Sequence, residues 1–135
     1  MNNAEAPANL ASTFVVLDPK FNAECIAVSD TLYAELDKRF DNFKNHLLIA
    51  SHRFTGNWPT WESHPHGDEV VCLTSGDAEF VMRQNGVDST VRLSSPGAFV
   101  VVPRNTWHTA LIHAPSTMVF ITPGQATENR ELPPE

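Results

Sequence analysis

Between His46 and Thr122, short runs rich in Val, Ile, Phe and Thr alternate with turn-forming residues. The runs HLLIASHRF, TWESH, EVVCLTS, AEFVMRQ, VDSTVRL, AFVVV, TWHTALIH and TMVFIT are punctuated by TGNWP, PHGD, GD, NG, SSPG, PRN and APS. These eight runs give about seven strands in 77 residues, the short TWESH being the weakest of them. Strands at this density pack as a sandwich or close into a barrel. Asn85-Gly86 is a strong hairpin signal, because both residues tolerate positive φ.

The rest of the chain is simpler. TFVVL at 13–17 reads as a first strand, stopped by Asp18-Pro19. One helix is expected, capped by Ser29 or Asp30, with Leu32, Leu36 and Phe40 recurring every four residues and Tyr33 and Phe43 widening the stripe. Residues 1–12 read as a flexible arm and 125–135 as a polar tail or an edge-covering arm, leaving 13–124 as one domain. At 135 residues the chain buries enough surface to fold without a disulfide or metal staple.

Charge removes several function classes. With 16 acidic and 9 basic residues the net charge is −7, so the clustered Lys and Arg that bind phosphate backbones are absent. A polybasic membrane surface is excluded on the same ground, and no window approaches the roughly 20 apolar residues of a membrane span. Cys25 and Cys72 stand far apart and form no CxxC pair. With no export signal in Met1 to Ala11, they read as reduced, buried thiols of a cytoplasmic protein, although the sequence leaves a disulfide between them open.

The chemistry concentrates between Gly56 and His108. Glu62 and His64 are two apart in a strand and point to one face. Pro65-His66-Gly67-Asp68 turns the chain, and Glu69 opens the next strand opposite them. Three polar side chains then converge among inward-facing Val71, Leu73, Phe80 and Met82. Imidazole and carboxylate together suit zinc, iron, manganese or nickel. A second block runs Gly97, five residues, Pro103, four residues, His108, and returns His108 toward the same interior. Two glutamates in an apolar interior repel each other and lose solvation, so they need a cation or a shared proton.

These two blocks resemble the motifs of the cupin superfamily, Gly-x5-His-x-His-x3,4-Glu-x6-Gly and Gly-x5-Pro-x-Gly-x2-His-x3-Asn. The first is matched at Gly56, His64, Glu69 and Gly76, the second at Gly97, Pro103 and His108, with 20 residues between the blocks. Three positions depart from the pattern. Glu62 stands where the family has its first histidine, Asn105 replaces a glycine at a site that tolerates positive φ, and Ile112 replaces the final asparagine.

The resemblance implies a mainly β fold, a single-domain jelly-roll barrel with one N-terminal helix. It implies a divalent metal, iron in preference to zinc, manganese or nickel, on Glu62, His64, Glu69 and His108. Without Glu62, the set has the two-histidine, one-carboxylate composition of many non-haem iron oxygenases. Glu62 is then a fourth ligand or a general base. His64-Pro65-His66 offers a competing register with His66 as a ligand. Strand parity and the five-residue spacing from Gly56 favour Glu62.

Several reactions stay open. A dioxygenase acting on a small organic molecule is the first reading. A metal-assisted isomerase, cyclase or lyase, or a non-catalytic small-ligand binder, is the alternative. The resemblance also implies a homodimer, formed by strand and arm exchange. His46, His52 and His113 have no motif context and read as surface or hydrogen-bonded strand histidines. Trp61 and Trp107 are expected to pack between sheets, Trp58 to line the pocket, Cys72 to lie in the core, and Asp68 to close the turn or hold a ligand histidine.

Overall fold

Apolar alternation in TFVVL buries Phe14 and Val16 on one side of β1 (Thr13–Leu17) in the computed structural model, which describes residues 6–132. The Asp18 carboxylate accepts the backbone N–H groups of Lys20 and Asn22, both at 2.9 Å, and turns the chain into β2 (Ala23–Ala27). The composition of AECIA gives no strand signal. Pairing with β1 in the register Val15 to Cys25 makes it one, a case of tertiary context overriding weak propensity.

The helix α1 (Leu32–Arg39) buries Leu32 and Leu36 against Phe14, Val16, Ile26, Phe43 and Leu48, with Phe40 packed at its end. Its N-cap is Thr31 and makes no side-chain cap bond, so neither Ser29 nor Asp30 fills the capping role the sequence suggests. A short 3-10 turn at Asp41–Phe43 leads into β3 (Leu47–Phe54). The following strands are β4 (Trp61–Ser63), β5 (Glu69–Gln84), β6 (Val87–Leu93), β7 (Phe99–Val102), β8 (Trp107–Thr122) and β9 (Glu128–Arg130).

The architecture turns on β5 and β8, each 16 residues long and paired antiparallel along most of their length. EVVCLTS and AEFVMRQ are therefore one strand, as are TWHTALIH and TMVFIT. The Gly76-Asp77 and Ala114-Pro115-Ser116 signals mark bends within strands, where the register shifts between Leu73 and Ala78. Through these bends the two strands pass from one sheet to another. The first sheet runs β2-β1-β3-β8-β5-β7 and uses the C-terminal half of β8 with the N-terminal half of β5. The second runs β9-β4-β8-β5-β6 and uses the opposite halves. Asn85 and Gly86, at φ 53° and 73°, make the tight turn between β5 and β6. This is a jelly roll, mainly β with one α-helix among the described residues.

The core fills the space between the sheets. Val71, Leu73, Val102 and Met118 from the first sheet pack with Ala78, Phe80, Leu93 and Ala110 from the second, each at most 1% exposed. Of the two readings of the C-terminal segment, the edge-covering one describes Glu128–Arg130, which form β9, pair with β4 and cover its edge. β1 is flanked on both sides, by β2 and β3, so residues 13–17 present no open edge to exchange. Both cysteines are unpaired, as expected, but neither is buried. Cys25 is exposed and Cys72 half-buried on the outer face of the first sheet, and both are free thiols. Among the described residues no helix is long and apolar enough to cross a membrane.

Candidate metal centre

Strand pairing places Glu62 directly opposite His108, and His108 opposite Met82, so all three share the inner face of the second sheet. His64 follows two residues after Glu62. Glu69 opens β5 on the inner face of the other sheet, opposite buried Val102. One donor atom from each of Glu62, His64 and His108 lies within 4.8 Å of the others, an arrangement able to hold a metal ion. Glu69 touches both imidazoles, with Oε2 3.3 Å from His64 Nε2 and Oε1 3.2 Å from His108 Nε2. His64, Glu69 and His108 are at most 4% exposed, while the Glu62 side chain keeps about a third of its surface open. His66 is exposed and does not line the cavity.

Hydrogen bonds around the imidazoles fix which nitrogen faces inward. His108 Nδ1 lies 3.0 Å from the Thr106 carbonyl oxygen, which only accepts, so Nδ1 carries the proton. His64 Nδ1 lies 2.8 Å from Thr127 Oγ1, whose own hydroxyl donates to the Gly124 carbonyl at 3.0 Å, so here too Nδ1 donates. When the rings are neutral, both Nε2 lone pairs point into the cluster. Thr122 Oγ1 donates to Glu69 Oε2 at 2.6 Å and orients that carboxylate.

The centre is therefore four electron-rich groups facing one another. Four buried side-chain nitrogen and oxygen atoms lack a hydrogen-bond partner among the described residues, and three of them are His64 Nε2, Glu69 Oε1 and His108 Nε2. Native interiors leave few such atoms, and a cluster of them calls for a ligand. The donor set fits a divalent cation.

Titration follows the same geometry. Burial, with Glu69 next, pushes the Glu62 carboxyl up. Burial also opposes ionisation of Glu69, but the contacts from His108 and His64 outweigh it and hold its pKa at about 2. Burial favours neutral His108, yet the Glu69 contacts prevail and raise its pKa above the usual value. Without a cation, that raised pKa favours a proton on His108 beside the Glu69 carboxylate.

A cavity of about 870 Å³ opens onto Glu62, His64 and Glu69. Its walls include Phe54, Trp58 and Phe120, and Trp58 lies where strand parity put it. Tyr33 from α1 and His52 from β3 also face it, with Tyr33 Oη 2.7 Å from His52 Nε2. Burial and then the charges of Glu62 and Glu69 push the tyrosine pKa up to about 12, so it stays protonated. Sequence reasoning passed over this pair. His52 does follow inward-facing Leu48 and Ala50 by parity, a signal that an imidazole sits on the core side of a strand.

Other expectations fare differently. Trp61 and Trp107 do not pack between sheets; they lie on the outer face, covered by the Arg83 and Arg130 guanidiniums at 5.0 and 5.4 Å. Asp68 holds the Arg104 backbone N–H at 2.9 Å and no histidine. Asn105 adopts φ 59°, the positive-φ conformation its substitution for glycine allows.

No protein-family model matches the sequence, and no curated protein sequence does. Solved structures do. A structure of oxalate oxidase superposes with a TM-score of 0.52 at 15% identity, over 60% of this chain and 44% of that one. A cupin-2 domain containing protein from Shewanella frigidimarina gives 0.47 at 18% identity, over 62% and 71%. Hydroquinone 1,2-dioxygenase from Sphingomonas sp. TTNP3, with 4-hydroxybenzoate bound, gives 0.48 at 17% identity, over 56% and 58%. The matched stretch is less than two thirds of the length of the oxidase and of the dioxygenase. At these identities the likeness concerns the fold. Two long strands crossing between sheets, with two glycine-bounded blocks on their inner faces, give the chain a jelly-roll fold like that of the oxalate oxidase structure.

Proposed function

We propose that the chain is a metal-dependent enzyme acting on a small organic molecule, and that its reaction is oxygen insertion at a non-haem iron held by His64, His108, Glu69 and Glu62. The observation that carries this reading is the buried cluster of unpartnered His64 Nε2, Glu69 Oε1 and His108 Nε2 beside a roomy cavity. Iron bound there supplies Lewis acidity and access to dioxygen. The chain's own groups do the rest. Thr106 and Thr127 hold the imidazoles in the ligating tautomer, and Thr122 holds Glu69. Phe54, Trp58 and Phe120 exclude water and suit a planar, largely apolar substrate. The Tyr33–His52 pair offers that substrate a proton donor at the cavity wall.

One observation favours a second reading. Glu62 is the most open of the four groups and its pKa is raised, as suits a base that moves a proton during a metal-assisted isomerisation or elimination. Oxygen uptake separates the two. Iron-loaded protein should consume oxygen with phenols, diketones or keto acids. Turnover with zinc or manganese and no oxygen uptake reverses the assignment in favour of proton transfer. Binding without turnover on any metal leaves a ligand-binding module.

The tautomer argument makes a separate expectation. Thr127→Val removes the acceptor for His64 Nδ1 and frees the ring to turn or take the other tautomer. Metal affinity should fall about 10- to 100-fold, with little change in far-UV circular dichroism. Isothermal titration with Zn or Mn reads this directly, and unchanged affinity would mean that His64 is oriented by something else.

A further inference from the structure

The four groups of the centre are not held equally. Glu69 and His108 sit on the two 16-residue strands that run through both sheets. Glu62 and His64 depend on β4, which has three residues and pairs with β8 at one position, Glu62 opposite His108. All three residues of β4 pair with β9. Asn129 lies opposite Glu62 in that pairing, and Thr127, two residues earlier and so on the same face, bonds His64 Nδ1 at 2.8 Å. Gly124, Ala126, Thr127 and Asn129 form part of the cavity wall. Half of the donor set is therefore positioned by the C-terminal segment.

That segment is fixed at its root and lightly held beyond it. Pro123 packs so closely on Gly67 that a Cβ there would fall 2.6 Å from Pro123 Cγ. Past this point, Gln125 Oε1 accepts the Asn45 N–H at 3.4 Å, a long bond, and Arg130 lies over the Trp107 ring at 5.4 Å. All three residues of β9 are exposed, so no buried side chain anchors the strand. Ala126 has φ 55°, in the left-handed region that a residue with a Cβ adopts at a cost, and this works against docking. Segments with few buried contacts and exposed backbone bonds are the first to open.

We infer that residues 124–130 are a strap whose docking is coupled to the metal centre: it closes when the centre is filled and releases when it is empty. The inference rests on the metal reading above. With Nε2 of His64 ligated, the ring is fixed and its Nδ1–H becomes a stronger donor to Thr127. With Glu62 ligated, β4 presents a fixed edge for β9. Such coupling is reciprocal, so the docked strap tightens metal binding by the same factor. Release removes four residues from the cavity wall and opens it to a small molecule on the side where Glu62 stands.

Hydrogen exchange of the full chain, read by mass spectrometry with and without saturating Zn, tests this. Amides of 124–130 should exchange about tenfold more slowly, or slower still, with Zn, while the exposed edge strand β6 changes less than about twofold. In Thr127→Val, saturated with Zn, the strap should lose most of that response. Ala126→Gly relieves the left-handed backbone, so it should slow strap exchange in the metal-free protein and raise Zn affinity about threefold by isothermal titration. Zn binding that leaves strap exchange unchanged overturns the strap and leaves the metal centre standing. So does a strap already as protected as β8 in the metal-free protein. No Zn uptake by titration overturns the metal centre and the strap together.

Discussion

His108→Ala is expected to abolish the stabilisation that divalent metal gives the wild-type chain. At a hundred times its dissociation constant, a metal that binds only the folded state stabilises by roughly 2.7 kcal/mol. For a domain of this size that is a rise in Tm of roughly 10 °C. The His108 ring is fully buried, its Nδ1 is committed to Thr106, and its Nε2 touches Glu69, so no neighbour can take its place. The variant also leaves a cavity and loses stability by itself, so the quantity to compare is the increment with and without metal, measured by thermal denaturation in Mn, Fe, Co, Ni and Zn. No increment in the wild type with any of the five, together with well under half a metal per chain by elemental analysis, removes the metal centre from consideration.

The pH dependence has a definite sign. The raised pKa of His108 means that a cation must displace a proton from it, so metal affinity falls as pH drops below that raised value, by about tenfold per unit for one proton. In the metal-free protein the same contacts act in opposite directions. Glu69, held at about 2, contributes stability that is present above 4.5 and lost as pH falls toward 2. His108 contributes stability that is full below 6.5 and lost as pH rises through its folded value. Metal-free stability from this pair is therefore greatest between 4.5 and 6.5, whereas metal-bound stability grows above that window.

Where the sequence was legible, a local rule and the tertiary structure agreed. Parity put Glu62, His64 and Trp58 on the inner side, and Asn85-Gly86 and Asn105 announced their positive φ. Where it was not, the deciding contact came from far along the chain. His52 meets Tyr33 across 19 residues and His64 meets Thr127 across 63, and no spacing encodes either. Cys72 and Trp61 were correctly placed away from the pocket by parity. What parity cannot say is whether the other side of a strand is core or surface, and in both cases it is surface. The two bends were read as turns because Gly-Asp and Ala-Pro-Ser are turn compositions. Strand continuity through them depends on pairing between β5 and β8, which only the folded partner supplies.

Those bends carry the second large effect, expected at Gly76. Gly76 has φ +108°, and a Cβ there would fall on the Pro115 carbonyl oxygen and on Ser116. Ser116 Oγ accepts the Asp77 N–H at 2.9 Å and donates to the Ala114 carbonyl at 2.7 Å, so neither chain has slack to move. Gly76→Ala thus combines a backbone conformation worth about 1–3 kcal/mol of strain with overpacking of similar size, about 4 kcal/mol together. Gly86→Ala and Gly97→Ala are the controls, since both sit at positive φ with nothing within 4 Å of the added carbon. They should cost only the conformational part, about 1–2 kcal/mol. Urea denaturation of the three variants decides the matter, and a Gly76→Ala cost no larger than the controls means that the strands do not cross this closely. The consequence reaches the metal centre. Glu69 lies on the half of β5 in the first sheet and His108 on the half of β8 in the second, so the angle at Gly76 and Pro115 sets how the two halves face each other. A variant that folds with the bend relaxed should retain its strands and still lose metal affinity, although Gly76 touches none of the four groups that converge there.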